Sequence, residues 1–358
     1  MRLVIIGGTG NISREITRQT AAMGHDVTLF NRGTRTDVEI PHGVRVITGD
    51  RRKEGELMEK LDGVNADAVI DMISFNASDA RTTMEVFDGK AEHIIFTSSV
   101  AAYNQPARHI PIREEFETLR SEPSFPYGFE KANMERELHN LKKKSHVTII
   151  RPSLTFGIGC SNIGVMRQNA NIARRIMDDK PLLMFGDGTN PWTFTFAPDL
   201  AKAYVMSLFR PSTYDKAFHV TSGFCNIWDD LYTVIGEIVG KEPQIIHAPA
   251  ELLNKIDGSL FGHIQMEKKY CGIFDCSAFR EAVPDWESEY DLRKGMTMIY
   301  RWWEKNGFPF DPEKDEEGLQ TMRTLASNMA FLMKSIALGK EKYGIPQKEE
   351  WKPTHFIR

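Results

Sequence analysis

A tyrosine and a lysine four residues apart, Tyr127 and Lys131, are the residues of this sequence whose types and spacing most directly suggest chemistry. In a helix, a spacing of four places both side chains on one face, one turn apart. A neighbouring ammonium lowers the pKa of a phenol, so the tyrosine can exchange a proton with a hydroxyl or carbonyl oxygen. The pair therefore predicts an acid/base centre, although the same spacing also arises by chance.

A serine, Ser99, follows the apolar segment His93–Thr97, which has the composition of a short buried strand. The carboxyl ends of parallel strands form the crevice in which such sheets bind ligands. We therefore expect the Ser99 hydroxyl to polarise a substrate oxygen beside the phenol of Tyr127. The alternative for residues 97–99 is that they only begin a loop.

A glycine-rich turn joins the first apolar segment to an amphipathic one and contains Gly7 and Gly10. A pyrophosphate needs backbone N–H groups at a helix N-terminus with no side chains in its way, and glycines meet that need. Ser13 stands where a third glycine is usual and is small enough for close packing. The turn predicts binding of NAD(P). The other predicted cofactor contacts are Thr9, Asn11, Ile12, Asp50, Arg51, Ile73, Lys131 and Pro152.

The second apolar segment ends in Asn31 and Arg32, where an acidic residue would bind the ribose hydroxyls of NAD. An arginine at this point can instead pair with a 2′-phosphate, so NADP is favoured over NAD. The alternative is that Arg32 is a solvated surface residue. Asp50, after the third segment, is predicted to lie at the adenine side of the site.

The elements that must position these residues alternate between short apolar runs and amphipathic stretches, a pattern typical of βαβ units. This pattern predicts an α/β fold, a Rossmann-type doubly wound parallel sheet, with a smaller C-terminal mixed α+β substrate domain. The expected domains are residues 1–150, 151–310 and a helical extension over 311–358. The predicted strands are Arg2–Ile6, Asp26–Phe30, Val44–Thr48, Ala68–Met72, His93–Thr97 and Val147–Ile150.

Composition narrows the functional class. The chain has 358 residues and a net charge of -4, which gives no general reason to bind nucleic acid or an anionic membrane. Its four cysteines are widely spaced, and we predict no metal site. A strand follows Met1 directly and no run is apolar enough to span a bilayer, so we expect a cytoplasmic protein without membrane association.

The glycine-rich turn, Ser99, Tyr127 with Lys131, and the run Arg151-Pro152-Ser153 together resemble the extended short-chain dehydrogenase/reductases, the NAD-dependent epimerase/dehydratase family. The resemblance runs from residue 1 to about Trp303. It implies a Rossmann fold, a bound NAD(P), and Ser99, Tyr127 and Lys131 as catalytic residues. The subgroup it resembles most also contains chloroplast RNA-binding relatives.

At two positions the chain departs from the family pattern. One departure argues against a class of reaction and the other against a class of substrate. Sugar 4,6-dehydratases carry Thr-Asp-Glu where this chain has Ser99-Val100-Ala101, so dehydration is not expected. Nucleotide-sugar members place an arginine at the position of Trp192, and its loss weakens the case for a UDP- or GDP-sugar. Trp192 is instead predicted to stack on a sugar ring or another flat face. The alternative is a core tryptophan.

Our leading hypothesis is hydride transfer at a carbinol carbon of a sugar, glycoside or similar polyol, in an oxidoreductase or an epimerase. The first alternative is an NADPH-dependent reductase of an aromatic or enone compound. The second is a binding protein without turnover, including an RNA binder, which the net charge and the intact Tyr–Lys pair disfavour. A small-molecule substrate is expected, no nucleic acid is, and a homodimer stays open.

Overall fold

The computed structural model describes residues 1–159, 163–166, 169–308 and 312–345. Internal contacts divide the chain into one unit over Met1–Asp311 and a second that begins at Pro312. The first unit holds every residue of the site described below. Within the described ranges, none of the helices combines the length and hydrophobicity that crossing a membrane requires.

Seven strands form the central sheet, in the order β11-β6-β5-β4-β1-β2-β3, and each adjacent pair is parallel. The predicted doubly wound parallel sheet is confirmed. In chain order, the strands are β1 (Arg2–Ile6), β2 (Asp26–Asn31), β3 (Arg45–Thr48), β4 (Ala68–Asp71), β5 (His93–Thr97), β6 (His146–Pro152), β7 (Leu154–Phe156), β8 (Leu182–Phe185), β9 (Pro191–Trp192), β10 (Phe194–Phe196), β11 (Lys216–Val220), β12 (Asn226–Ile227) and β13 (Ile245–Ala248).

The six predicted strands occur within about two residues of their expected bounds. Within the central sheet, β11 is the strand that the sequence pattern did not predict. It pairs with β6, with Phe218 opposite Ile150, and so extends the sheet from a segment more than sixty residues further along the chain. Among the described residues outside this sheet, β7 pairs with β10, β8 pairs with β13, and β9 pairs with β12 in the antiparallel direction. The pair β9–β12 positions Trp192.

The described helices lie between and after these strands in the chain. They are α1 (Asn11–Ala22), α2 (Glu56–Leu61), α3 (Ala77–Phe87), α4 (Pro126–Asn140), α5 (Ala170–Met177), α6 (Ala197–Ser207), α7 (Asp230–Val239), α8 (Ala250–Ile256), α9 (Gly258–His263), α10 (Ser277–Ala282), α11 (Leu292–Lys305) and α12 (Pro312–Tyr343). Single 3₁₀ turns lie at Val100–Ala102 and Pro211–Thr213, and α9 continues into a π-helical turn, Ile264–Lys268.

The core lies on both faces of the sheet. Along β1, Leu3 and Ile5 belong to the cluster that includes residues of α1 and α6, whereas Val4 and Ile6 belong to the cluster that includes residues of α2, α3 and α4. Because both faces are covered, each central strand is apolar at nearly every position. This two-sided burial explains why short continuous apolar runs predicted the strands.

Candidate active site

A cleft of about 520 Å³ opens where β1, β4, β5 and β6 end. This is the edge at which parallel α/β sheets bind ligands. It is lined by Gly7, Gly10, Asn11, Ile12, Ser13, Met72, Ile73, Phe75, Thr97, Ser98, Ser99, Val100, Phe125, Tyr127, Lys131, Pro152, Ser153, Leu154, Thr155, Trp192, His263, Glu267 and Lys268.

Most of the residues predicted from the sequence meet in this cleft. Those that line it are Gly7, Gly10, Asn11, Ile12, Ile73, Ser99, Tyr127, Lys131, Pro152 and Trp192. Those that lie outside its lining are Thr9, Asn31, Arg32, Asp50 and Arg51. The structure therefore brings the predicted acid/base residues and the glycine-rich turn into one cleft.

Lys131 reaches the cleft from α4 with only 1% of its surface exposed. Its ammonium donates to the carbonyl oxygens of Ser74 at 2.6 Å and Thr97 at 2.7 Å, and it lies 4.8 Å from the centre of the Phe75 ring. Burial lowers the pKa of Lys131 to about 8. An ammonium has three N–H donors, so these two bonds leave one for another acceptor.

Tyr127 lies one turn before Lys131 on α4, and 44% of its surface is exposed. Pro126 occupies the first turn of the helix, where a missing N–H costs nothing. The Phe125 ring packs edge-on against the tyrosine ring, with centroids 6.1 Å apart. The phenol is therefore presented to the open side of the cleft while the lysine lies beneath it.

Ser99 ends the extended chain after β5 and caps the 3₁₀ turn that follows. Its hydroxyl oxygen accepts a hydrogen bond from the backbone N–H of Ala101 at 3.1 Å. Within the described part of the chain, this hydroxyl donates to no acceptor, so its proton can turn toward a ligand oxygen in the cleft. The position confirms the expectation that Ser99 follows a strand at the ligand-binding edge.

The glycine-rich turn has the backbone geometry that a dinucleotide requires. Gly7 has φ +87°, and a Cβ atom there would come within 2.6 Å of the Ile73 side chain. Ser13 takes the place of the third glycine, donating to the Gly7 carbonyl at 2.6 Å and accepting from the Gly10 N–H at 2.8 Å. Its hydroxyl thus fastens the turn to the start of α1.

The start of α1 fits a pyrophosphate. The first helical hydrogen bond runs from the Arg14 N–H to the Gly10 carbonyl, so the N–H groups of Asn11, Ile12 and Ser13 have no partner in the helical ladder. All three residues line the cleft. Such N–H groups, together with the helix dipole, bind phosphate oxygens. The residues present therefore fit NAD(P).

The predicted ribose-side residues lie at and beyond the end of β2. The buried Asn31 side chain accepts from the Gly33 N–H at 2.9 Å and so shapes the turn. Arg32 is exposed, and no carboxylate among the described residues lies within ion-pair distance of it. Arg35 instead pairs with Asp37 at 2.7 Å, which holds the pKa of that carboxyl down to about 2. Asp50 accepts from the Arg52 N–H at 3.0 Å.

The prediction that the Arg51 side chain binds the cofactor is not supported. Its guanidinium is buried and forms an ion pair with Asp71 at 2.9 Å, with further hydrogen bonds to the Asp79 carbonyl and the Thr83 hydroxyl. These groups lie on β4 and α3. Because four acceptors already surround the guanidinium, including the Ser74 hydroxyl at 3.2 Å, it stabilises the sheet edge beside the cleft.

Trp192 lines the cleft but is a core residue, with only 1% of its surface exposed. Its ring lies 5.5 Å from that of Trp228 and 6.3 Å from that of Phe274, and Gly272 packs so closely on it that a Cβ would come within 2.3 Å. This packing favours the alternative of a core tryptophan over a face open for stacking. Its indole N–H donates to no group among the described residues.

Several cleft residues were not predicted. Phe75, Phe125 and Ser98 adjoin predicted elements, and their positions beside strand ends or the start of α4 were a usable signal. His263, Glu267 and Lys268 come from the helical segment after α8, about 140 residues from Tyr127. No local pattern in the sequence connects that segment with the acid/base pair.

A buried ion pair lies beneath the cleft. Glu135, two turns after Tyr127 on α4, pairs with Arg151 of β6 and accepts from the Ser98 hydroxyl. Arg151 also donates to the Tyr103 hydroxyl at 2.8 Å, which lies 3.0 Å from Nδ1 of His219 on β11. The network therefore joins α4 to β6, to β11 and to the segment that follows β5.

A sequence model of the NAD dependent epimerase/dehydratase family matches residues 3–220, from β1 to the last residue of β11. The chain belongs to this family. The matched range contains the glycine-rich turn, Ser99, Tyr127 and Lys131. The resemblance predicted from the motifs is confirmed, and the chain is an NAD(P)-dependent enzyme of the extended short-chain dehydrogenase/reductase kind.

Individual relatives are distant. The chain is 22% identical over 320 residues to a 2'-dehydrokanamycin reductase from Streptomyces kanamyceticus, with 88% of each chain covered. An epimerase structure from Methanothermobacter thermautotrophicus gives a TM-score of 0.71 at 17% identity, covering 85% of this chain and 92% of that one. A UDP-glucose 4-epimerase from Thermus thermophilus, solved with NAD, gives 0.68 at 17% identity, covering 85% and 99%. These structures share the fold.

Proposed function

We propose that this enzyme catalyses reversible hydride transfer between NAD(P) and a carbinol carbon of a sugar, glycoside or similar polyol. The observation that carries the proposal is the meeting of Ser99, Tyr127 and Lys131 in one cleft with the N-terminus of α1. When bound, the nicotinamide ring supplies or accepts the hydride. Either a net oxidoreductase or an epimerase could use this arrangement.

The protein's part in the reaction is to hold and move a proton. Tyr127 exchanges a proton with the substrate oxygen, because its phenol is at the open side of the cleft. The Ser99 hydroxyl donates a hydrogen bond to the same oxygen. Lys131, with one N–H donor left after its bonds to two carbonyls, favours the ionised phenol and binds the nicotinamide ribose. Gly7, Gly10 and the first N–H groups of α1 hold the pyrophosphate.

The reduction of a carbonyl is the direction that one relative favours. The alignment with the 2'-dehydrokanamycin reductase covers 88% of this chain at 22% identity, and the name of that protein describes reduction of 2'-dehydrokanamycin. Kanamycin and NAD(P)⁺ are therefore useful first reactants for the reverse reaction, read as NAD(P)H formation. UDP-glucose tests the nucleotide-sugar class, and cinnamaldehyde with NADPH tests the enone class.

The decisive first experiment is mass spectrometry of the nucleotide that copurifies with the enzyme. Tightly held NAD favours epimerisation, which regenerates its cofactor in each cycle, whereas an exchangeable site favours a net reductase. Titration with NADH and NADPH, followed by fluorescence, then measures both affinities. If the purified protein bound neither nucleotide, the proposed function would be wrong.

We further propose a preference for NADP(H), because Arg32 is an exposed cation at the end of β2 with no carboxylate partner in the described chain. Arg32→Ala should weaken NADPH binding about tenfold, as expected for one lost charge-assisted contact, and leave NADH binding unchanged. Arg35→Ala is the matched control, since Arg35 is already paired with Asp37. Equal affinities that Arg32→Ala does not alter would contradict this preference.

A further inference from the structure

Glu267 is a buried carboxyl group in the wall of the cleft. It lies in the π-helical turn Ile264–Lys268, has 7% of its surface exposed, and lines the same cleft as Ser99 and Tyr127. π-Helical turns are rare and occur frequently at functional sites. The position gives the cleft an acidic group far along the chain from the acid/base residues.

The carboxyl group of Glu267 has no protein partner in the described parts of the chain. None of the described donors forms a hydrogen bond with it, and no cation lies within ion-pair distance. Lys268 and Arg120 act on it electrostatically without forming an ion pair, and Arg120 directs its guanidinium to the carbonyl oxygens of Ala101 at 2.7 Å and Met266 at 2.9 Å. Burial raises the pKa of Glu267.

A buried carboxyl without partners is unfavourable for folding, and such groups are rare in native proteins. No described group of the protein supplies a hydrogen bond to this carboxyl, and only the electrostatic effect of Lys268 and Arg120 offsets part of the cost. A ligand that donates hydrogen bonds to the carboxyl would offset the rest of the cost. The open side of Glu267 faces a cleft that also holds Tyr127, so a ligand whose reacting oxygen lies at the phenol is the natural donor.

The neighbourhood of Glu267 is suited to a ring that carries several polar substituents. Lys268 lines the cleft next to it, with its ammonium 5.6 Å from the centre of the Trp228 ring. An acceptor and a cation in one wall match hydroxyl groups, which donate and accept at once.

We propose that Glu267 binds the substrate, its carboxylate accepting hydrogen bonds from donor substituents of a polyhydroxylated ring whose reacting carbinol lies at Tyr127. The inference rests on the proposed function for the location of the reacting carbon. Hydroxyl and ammonium substituents can both donate the hydrogen bond that the Glu267 carboxylate accepts. A flat enone offers the carboxylate no donor.

Binding to the NADP⁺-loaded enzyme, measured separately from any NADPH formation, tests this assignment. The probes are methyl α-D-glucopyranoside for hydroxyl donors, kanamycin for ammonium donors, and cinnamaldehyde for a ligand with neither, each titrated by calorimetry or ligand-observed NMR. Glu267→Gln should weaken binding of the hydroxyl or the ammonium probe at least about tenfold. Binding of cinnamaldehyde should not weaken.

The matched control is Glu251→Gln, because the exposed Glu251 pairs with Lys269 at 2.8 Å and lies outside the cleft. It should leave all probe affinities at the wild-type value. The thermal midpoint of Glu267→Gln should equal or exceed that of wild type, since the change removes an unpaired buried acid. A purely structural role predicts the opposite, a lower midpoint.

Two results would overturn the assignment: wild-type affinity of Glu267→Gln for both glycosides, or no binding of either glycoside to the wild type at tens of millimolar. A separate variant distinguishes this failure from failure of the proposed function. Tyr127→Phe should keep probe binding while losing redox activity. Retained activity in that variant would contradict the proposed chemistry even if Glu267 bound the probe.

Discussion

Lys131 holds a positive charge almost entirely out of water, and its titration should appear in the stability of the enzyme. Its pKa is about 8 in the folded chain, below the usual 10.5 expected after unfolding. Below pH 8 both states hold the proton and the lysine adds no pH dependence. Between pH 8 and 10.5 only the unfolded state keeps it, so raising the pH favours the folded state by up to about 3 kcal/mol.

This linkage is measurable as a difference between two proteins. We expect the free energy of unfolding of nucleotide-free wild type to rise relative to that of Lys131→Met between pH 7.5 and 10, in urea titrations. All other titrating groups are common to both proteins and cancel in the difference. Parallel pH profiles would show that the ammonium is better solvated than its burial indicates.

Tyr127, Lys131 and Ser99, the residues proposed to act in catalysis, should respond differently to substitution. Tyr127→Phe should abolish nearly all turnover while cofactor affinity stays close to wild type, because only the ionisable oxygen is lost. Lys131→Ala should reduce both turnover and cofactor affinity. Ser99→Ala deletes one hydrogen bond to the reacting oxygen and should raise the barrier by about 2–4 kcal/mol. Turnover is followed through NAD(P)H absorbance and affinity through fluorescence.

A tyrosine outside the cleft provides the control for these measurements. Tyr214 donates its hydroxyl to Glu92 at 2.9 Å and does not line the cleft. Tyr214→Phe should therefore keep wild-type turnover and cofactor affinity. Substantial activity in Tyr127→Phe would mean that another group moves the proton.

Among the elements, the connection from β1 to α1 depends on one residue without a side chain. Gly7 combines a positive φ of +87° with a 2.6 Å approach of the Cβ position to Ile73, and its N–H donates to the Phe30 carbonyl at 2.8 Å. Gly7→Ala should lower the free energy of unfolding by about 2–4 kcal/mol, from left-handed strain and overpacking together. It should also weaken nucleotide binding, because the turn presents α1 to the pyrophosphate.

A substitution at Gly24 separates the strain of a positive φ from the effect of overpacking. It follows α1 with φ +77°, but a Cβ there would meet nothing within 4 Å. Gly24→Ala should therefore lower the free energy of unfolding by only about 1–2 kcal/mol and leave nucleotide affinity unchanged. Chemical denaturation and fluorescence titration of both variants measure the contrast. Equal effects of the two substitutions would show that close packing at Gly7 is unimportant.

Across the whole molecule, the Glu135–Arg151 pair joins α4 to β6 of the central sheet. Both side chains are buried, so removing one partner leaves an uncompensated charge. Glu135→Ala should lower the free energy of unfolding by about 3–5 kcal/mol, whereas replacing both residues by apolar ones of similar volume should restore much of it. Urea denaturation of the single and double variants tests this.

An exposed ion pair on the same helix is the control for this experiment. Glu137 accepts from Arg81 at 3.0 Å, and about half of the arginine side chain is exposed. Glu137→Ala should change the free energy of unfolding by no more than about 1 kcal/mol. A similar small loss in Glu135→Ala would mean that water reaches the buried pair.

Local chemistry determined much of this protein. The six predicted strands are apolar on both faces, and burial from two sides leaves a signal in each segment by itself. The four-residue spacing of Tyr127 and Lys131 predicts that both side chains lie on one face of a helix. The apolar segment before Ser99 predicts that this serine lies at the end of a strand. Such features depend on residues within one or two turns of each other, so the sequence predicts them.

Tertiary structure alone decided the rest. β11 is a strand because it pairs with β6, and its own run of residues carries little apolar periodicity. Arg51 is adjacent to Asp50 in sequence, yet its side chain turns to Asp71, because that buried carboxylate needs a cation. Glu267 enters the cleft through the packing of a segment about 140 residues from Tyr127. Contacts between distant segments depend on the shape of the packed chain, and no local pattern encodes them.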